Sequence, residues 1–381
     1  MTERVLVLGA GMIGATMAHD LVAPDGPQVT VADRRPEALA RVAAKSGVQT
    51  RQADLGDPAA VRALAGEYDM VLGALSSVIG LQTLRAVIEA GKPYVDISFM
   101  SEDARQLDGL AKERGVVAVV DCGVAPGVSN LLSGLAAAQL HPLERLEIYV
   151  GGLPVERRWP FEYKAGFAPH DVIEEYTRPS RIVEHGQIVV REALSEPELM
   201  DFPGVGTLEA FNTDGLRSLA YTLKAPFMKE KTLRYPGHIA LMRTFRETGL
   251  FSKQEITVGG ATVRPLDVTA ALLFPKWTFE EGEADLTVMR VLAEGTHEGR
   301  RERWTWDLLD THDPQTGFRS MSRTTAFPAT IVARLIAQGG FREPGVHPPE
   351  FLGARAGLAD VVLGELGRRG VTIRHDRQPL A

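Results

Sequence analysis

The chain has 381 residues, enough for two domains, and its 44% hydrophobic and 24% charged residues form a globular balance rather than that of a disordered chain. A net charge of -7 with no long run of Lys or Arg argues against nucleic acid or an anionic membrane as partner, so small molecules are the expected ligands. The single cysteine, Cys122, excludes an intrachain disulfide and a cysteine-built zinc cluster, and with no leader-like segment and no run of roughly twenty apolar residues a cytoplasmic protein is expected.

Val5–Leu8 reads as a strand that turns through Gly9, Gly11 and Gly14 into a helix, which carries Met12 and Ile13 and ends near Leu21. Gly9 permits the turn and Gly11 lets backbone approach a pyrophosphate. Gly14 lets the helix pack close to the sheet with its N-terminal N–H groups facing the phosphates. Gln28–Ala32 reads as a second strand and ends on Asp33, roughly twenty residues after the last glycine. A carboxylate there accepts the hydrogen bonds of an adenosine ribose diol and repels a 2′-phosphate, so NAD is the expected cofactor. Arg34 and Arg35 follow at once and are able to offset that repulsion, which keeps NADP open.

The alternation continues with a helix over 36–44, a strand over 48–51, a loop whose Asp54 and Leu55 are placed to flank an adenine, and a helix over 59–64 that Asp57 is positioned to cap. Asp69–Leu75 reads as the fourth strand, with Ala74 and Leu75 at its small carboxyl end leaving room for a cofactor. A helix to Ala90, a strand over Pro93–Ser98, a helix over 102–114 and a strand over Val116–Asp121 complete six strand–helix alternations. Near-continuous apolar runs such as Val116–Val120 suit strands buried on both faces, so a doubly wound, Rossmann-type parallel sheet is expected. Asp96 and Asp121 fall at the carboxyl ends of their strands, the edge where open α/β sheets bind ligands, though each also suits a cap or a loop hydrogen bond.

From Glu144 the pattern changes to hairpins, over 181–191, 256–263 and 285–308, with helices after Gly237 and over 265–273. This predicts an α+β second domain with a mainly antiparallel sheet, over 126–324, for substrate binding and oligomerisation. Helices over 329–338 and 356–369 are expected to return to a first domain of residues 1–125 completed by about 325–381, with a loose tail after Arg374.

The segment Asp121-Cys122-Gly123-Val124-Ala125-Pro126-Gly127-Val128-Ser129-Asn130-Leu131-Leu132-Ser133-Gly134 resembles the signature of the saccharopine dehydrogenase (glutamate-forming) and lysine 6-dehydrogenase superfamily. Joining it are Val150–Pro154, Leu208–Gly215, Thr232–His238 and Gly345–Glu350, so the resemblance spans nearly the whole chain. The compact length and the Asp-x-Gly-Val-Ala-Pro-Gly form are most similar to L-lysine 6-dehydrogenase, but Asn212-Thr213-Asp214 stands where that enzyme's pattern has His-Thr-Ser. The resemblance implies NAD-dependent oxidation of a terminal amine to a semialdehyde with release of ammonia, and a homodimer or homotetramer.

Amine oxidation requires the neutral amine, and an alkyl ammonium has a pKa of about 10.4, so a base must take its proton. Asp96, Asp121 and His238 are the candidates, with a sheet-edge carboxylate orienting the amine and His238 also activating water for imine hydrolysis. Arg234 and Arg217 are candidates for holding the carboxylate of an amino-acid substrate and Asp214 for its ammonium, beside Thr213 in the same motif. Cys122 and Gly123 read as small residues packed near the cofactor. Two other readings stay open. One is a reductive condensation of the saccharopine reductase or carboxynorspermidine dehydrogenase type, with Arg157 and Arg158 as extra cations; the other is an NAD(H)-binding sensor without turnover.

Overall fold

The computed structural model describes residues 3–22, 26–167 and 169–381. They form two compact units, Met1–Ala138 with Ser322–Thr372, and Gln139–Met321 with Ile373–Ala381. Thus the first stretch runs on to Ala138, past the expected boundary at 125, because the helix after the Pro126-Gly127 turn packs there: Gly134 lies against the backbone of Glu350.

In the first unit β1 (Arg4–Leu8), β2 (Gln28–Asp33), β3 (Gln49–Gln52), β4 (Met70–Gly73), β5 (Tyr94–Asp96) and β6 (Val117–Val119) alternate with α1 (Met12–Leu21), α2 (Pro36–Ser46), α3 (Pro58–Gly66), α4 (Ser77–Glu89) and α5 (Asp108–Glu113). Helices cover both faces of the central strands, which is why Val5, Leu6, Val7 and Leu8 are all buried regardless of parity, while the edge strand β3 stays exposed along its length. Local chemistry sets the helix ends: the Asp57 carboxylate accepts from the N–H of Ala59, and Gly47, at φ 66°, closes α2 by bonding back to Ala43. Helix α6 (Val128–Gln139) then leaves the parallel sheet.

The second unit runs through β7 (Leu143–Pro154), α7 (Pro169–Thr177), β8 (Ser180–Glu184), β9 (Gln187–Arg191), β10 (Glu198–Phe202), β11 (Gly206–Asn212), α8 (Leu219–Thr222) and β12 (Phe227–Arg234). After α9 (His238–Glu247) come the small hairpin β13 (Ile256–Val258) and β14 (Ala261–Val263), α10 (Pro265–Trp277), and the long hairpin β15 (Asp285–His297) and β16 (Arg300–Thr311). Their main sheet is antiparallel except at β12, which runs parallel to β7. An aromatic core of Tyr163, Tyr176, Phe211, Phe251 and Trp277 fills the space between β11 and the helices α7, α9 and α10.

Following α11 (Ser320–Ala337) the chain adds β17 (Gly345–His347), α12 (Pro349–Gly353) and α13 (Leu358–Arg368) to the first unit. Strand β17 pairs parallel with β6, giving a seven-stranded sheet in the order β17-β6-β5-β4-β1-β2-β3 rather than six strands. The tail is not loose. As β18 (Ile373–Pro379) it forms the edge of the second unit's sheet against β16, with His375 stacked on Trp306 and Arg377 over Trp304.

Candidate active site

At the carboxyl edge of β1 the three glycines have separate jobs. Gly9 sits at φ 106°, and a Cβ there would meet the Ala74 carbonyl at 2.5 Å; a Cβ on Gly14 would meet the Gly9 carbonyl at 1.9 Å. These two hold β1, α1 and the end of β4 together. A Cβ on Gly11 would meet nothing within 4 Å, and no side chain caps α1 there. Open backbone at an uncapped helix N-terminus fits a pyrophosphate. Met12 is exposed and Ile13 buried, so only the former has side-chain surface toward solvent. Ala74 and Leu75 flank this turn; Asp54 is exposed beyond β3, whereas Leu55 packs into the hydrophobic core and presents little surface to an adenine. When bound here, a nicotinamide dinucleotide supplies the hydride acceptor.

Asp33 is already occupied. Its oxygens accept from the N–H of Ala10 at 2.8 Å, from the N–H of Arg35 at 2.9 Å, and from the Arg35 guanidinium at 3.0 Å on each oxygen. Burial works against its charge, but these donors outweigh it and hold the pKa down to about 2. The cation that offsets Asp33 is therefore Arg35; the side chain of Arg34 is exposed. At the end of β2 the ligand meets a neutralised pair with a guanidinium face, not a bare carboxylate.

Two acids stand at the ends of adjacent strands. The N–H of Cys122 donates to the Asp96 carbonyl at 2.8 Å, tying the chain after β6 to β5. Asp96 is fully buried: Tyr94 donates its hydroxyl to Oδ1 at 3.1 Å and Ser98 donates to Oδ2. Burial, reinforced by the charge of Asp121, pushes Asp96 up to about 7 against those two hydrogen bonds. Asp121 is 6% exposed and sits at φ 53°, a left-handed backbone that ends β6 abruptly. Cys122 is buried, and burial followed by the charges of Asp96 and Asp121 raises its thiol far from the thiolate range, so it is an inert packing residue. Next to it the loop from Gly123 to Gly127 folds on itself, with Gly123 donating to the Pro126 carbonyl at 3.1 Å and Gly127 at φ 141°. Asn130 braces this loop, accepting from the N–H of Gly127 and donating to Glu350 at 3.2 Å, which explains why the motif near the chain's end accompanies the one after β6.

In the second unit Arg234 is fully buried and committed. It lies 4.5 Å above the ring of Tyr163, pairs with Glu175 at 2.5 Å, and donates Nε–H to the Tyr176 hydroxyl at 3.2 Å. His238 was a candidate base, but neither of its nitrogens is free: Nδ1 bonds the Phe161 carbonyl at 2.8 Å and Nε2 bonds the Tyr176 hydroxyl at 2.9 Å. A carbonyl only accepts, so Nδ1 carries the proton, Nε2 accepts from Tyr176, and Tyr176 accepts from Arg234. Burial and then the Arg234 charge lower His238 to about 3, so it is a neutral structural link. Asp214, the candidate for a substrate ammonium, is clamped by Arg181 through Nε at 2.8 Å and Nη2 at 2.6 Å. Thr213 donates to Glu230 at 2.5 Å and lies 2.8 Å from the Thr232 hydroxyl; Arg217 is buried at φ 53°.

Sequence reasoning missed Glu230, Glu175, Tyr176 and Tyr163. The signal for Glu230 was present: β12 carries Glu230, Lys231, Thr232 and Arg234 in succession, polar residues on both faces of a strand whose neighbours are buried.

A strand–glycine–helix turn that fits a pyrophosphate, together with paired acids at the same sheet edge, defines a dinucleotide-dependent oxidoreductase. The first stretch, residues 5–119, matches the saccharopine dehydrogenase NADP binding domain, and residues 123–371 match the saccharopine dehydrogenase C-terminal domain. A saccharopine dehydrogenase (NADP+, L-glutamate-forming) of Pyricularia oryzae is 23% identical over 91% of this chain and 94% of its own length. The carboxyaminopropylagmatine dehydrogenase of Synechocystis sp. is 23% identical over 96% of both chains, and the carboxynorspermidine synthase of Vibrio cholerae is 23% identical over 91% of this chain and 92% of its own. In fold, the chain matches the apo saccharopine dehydrogenase (L-Glu forming) of Saccharomyces cerevisiae with a TM-score of 0.81 at 19% identity, covering 99% of this chain and 100% of that one. The chain belongs to the saccharopine dehydrogenase family and is an NAD(P)-dependent oxidoreductase acting on CH–NH groups.

Proposed function

We propose that the reaction is the oxidation of the terminal amine of L-lysine or a close basic amino acid, giving the semialdehyde and ammonia. The observation that carries this is the charge inventory of the second unit. Arg157 is held by Glu162, Arg158 by Glu156 and Glu283, Arg181 by Asp214 and Arg234 by Glu175, so the cations that a product with additional carboxylate arms would need are already paired with acids. A substrate with one carboxylate makes the smaller demand on such cations.

Proton handling falls to Asp96 and Asp121. With its pKa near 7, Asp96 gains and loses a proton around neutral pH, the range in which a general base works best. The less buried Asp121 faces the amine and takes its proton, so that hydride leaves a carbon next to a neutral nitrogen. Asp121 passes that proton to solvent, takes one from the water that adds to the iminium carbon and returns it to the carbinolamine nitrogen; the hydroxyl proton goes back to the carboxylate as the C–N bond breaks, leaving the semialdehyde and ammonia.

The relatives favour a second reading, reductive condensation of an amino acid with an aldehyde, since they are named for saccharopine, carboxyaminopropylagmatine and carboxynorspermidine. NADH formation with NAD and L-lysine alone tests the first reading. A signal with saccharopine and none with lysine supports the second.

A further inference from the structure

One buried carboxylate of the first unit is given room by glycines on two neighbouring elements. Tyr94 and Asp96 lie two residues apart on one face of β5, and in the parallel register Gly73 of β4 stands beside Asp96. A Cβ on Gly73 would meet the Tyr94 hydroxyl at 2.0 Å and Asp96 Oδ1 at 2.5 Å, so the hydroxyl and the carboxylate occupy the place of a side chain there. A Cβ on Gly80 of α4 would meet the Ser98 hydroxyl at 2.5 Å. The two notches seat two hydroxyls, one on each oxygen of Asp96: Tyr94 donates to Oδ1 at 3.1 Å and Ser98 donates to Oδ2.

Tyr94 is fully buried in the apolar core of the parallel sheet, where its ring packs but its hydroxyl must find a partner. Asp96 is that partner. The titratable groups that bear on Asp96 are Tyr94 on its own strand and Asp121 and Cys122 after β6; β4 and α4 bring the two glycines, and no cation pairs with Asp96 among the described residues. Hydrogen bonds therefore hold its charge against burial and against Asp121. Repulsion between the acids is mutual, so an ionised Asp96 makes Asp121 the stronger base.

We infer that Tyr94 is a positioning residue of the acid–base site, its hydroxyl orienting Asp96 and keeping that carboxylate ionised while Asp121 takes the proton of the amine. The role deepens the reading in which these two acids handle the proton and rests on it, whichever amine is oxidised.

The test follows kcat/KM against pH with NAD and whichever of L-lysine and saccharopine the wild type turns over. Tyr94→Phe keeps the ring and removes one hydrogen bond to the charged carboxylate, so the midpoint of the acidic limb should move up by about one pH unit, with the KM for the amine at pH 9 changed by no more than ~3-fold. Ser98→Ala, which removes the bond to Oδ2, should move the limb the same way. Added to Asp96→Asn, Tyr94→Phe should move nothing further. A limb that stays put in Tyr94→Phe while the melting temperature falls would make the tyrosine a packing residue and overturn the role. Urea unfolding gives a readout without turnover: the stability deficit of Tyr94→Phe should be constant below pH 7 and widen between about pH 7 and 8, where the wild-type carboxyl has released its proton and the variant's has not. A deficit independent of pH would remove the hold of Tyr94 on Asp96, whereas no turnover of either amine by the wild type would remove the reaction that this hold serves.

Discussion

At the scale of single residues, the recurring lesson is that a chemically suitable side chain is only as available as its neighbours allow. Asp214 has the right charge for an ammonium and His238 the right ring for a base, yet Arg181 claims both oxygens of the one, and Phe161 and Tyr176 claim both nitrogens of the other. Sequence spacing shows residue type and strand position; it does not show which polar group has been spent on which other. Asp33 and Arg35 make the same point with a consequence for cofactor choice. Because Arg35 neutralises Asp33 and keeps a guanidinium at the end of β2, Arg35→Ala should expose the carboxylate and weaken NADPH binding by about 10- to 100-fold while changing NADH binding by no more than ~3-fold. Titration of protein fluorescence against each reduced cofactor checks this; equal losses would mean that Arg35 only supports the turn.

At the scale of elements, the parallel sheet was legible because its signals are local: apolar runs, glycines at fixed offsets, and acids closing strands. Elements were missed where pairing is distant. Strand β17 is three residues long and exists because Gly345–His347 completes a ladder on β6, and β18 is a polar, exposed edge whose partners on β16 lie some seventy residues away in the chain, roughly the separation of Trp306 and His375. Strand β12 was obscured because buried Glu230 and Arg234 break the apolar alternation that marks a strand. The glycine turn allows a sharp contrast. Gly11→Ala should leave the melting temperature of the free protein unchanged or slightly raised, since open space meets the new methyl, but raise the Kd for NADH at least ~10-fold by standing where pyrophosphate approaches the backbone. Gly14→Ala forces its methyl against the Gly9 carbonyl and should destabilise the fold itself. Thermal unfolding with and without NADH separates the two, and a Gly11→Ala variant that binds NADH normally would remove the pyrophosphate from this turn.

For the molecule as a whole, the buried acid at the sheet edge ties stability to pH. The folded-state pKa of Asp96, about 7, lies above that of an unfolded aspartate, so the folded chain holds this proton more tightly. The associated stability is fully present below about pH 4 and is lost as pH rises through 7. Asp96→Asn removes the charge and should gain roughly 1–4 kcal/mol relative to wild type at pH 8 and almost nothing at pH 4, while its turnover falls. Urea unfolding at the two pH values reads the difference, and a variant equally displaced at both would show that packing, not the proton, is at stake. The central claim is met most directly by following NADH absorbance at alkaline pH with NAD and L-lysine as sole substrate, alongside saccharopine, L-ornithine and diamines. Growth with lysine alone, accompanied by stoichiometric ammonia, is the predicted result; silence with lysine and growth with saccharopine would contradict it and assign the chain to the condensing branch of its family.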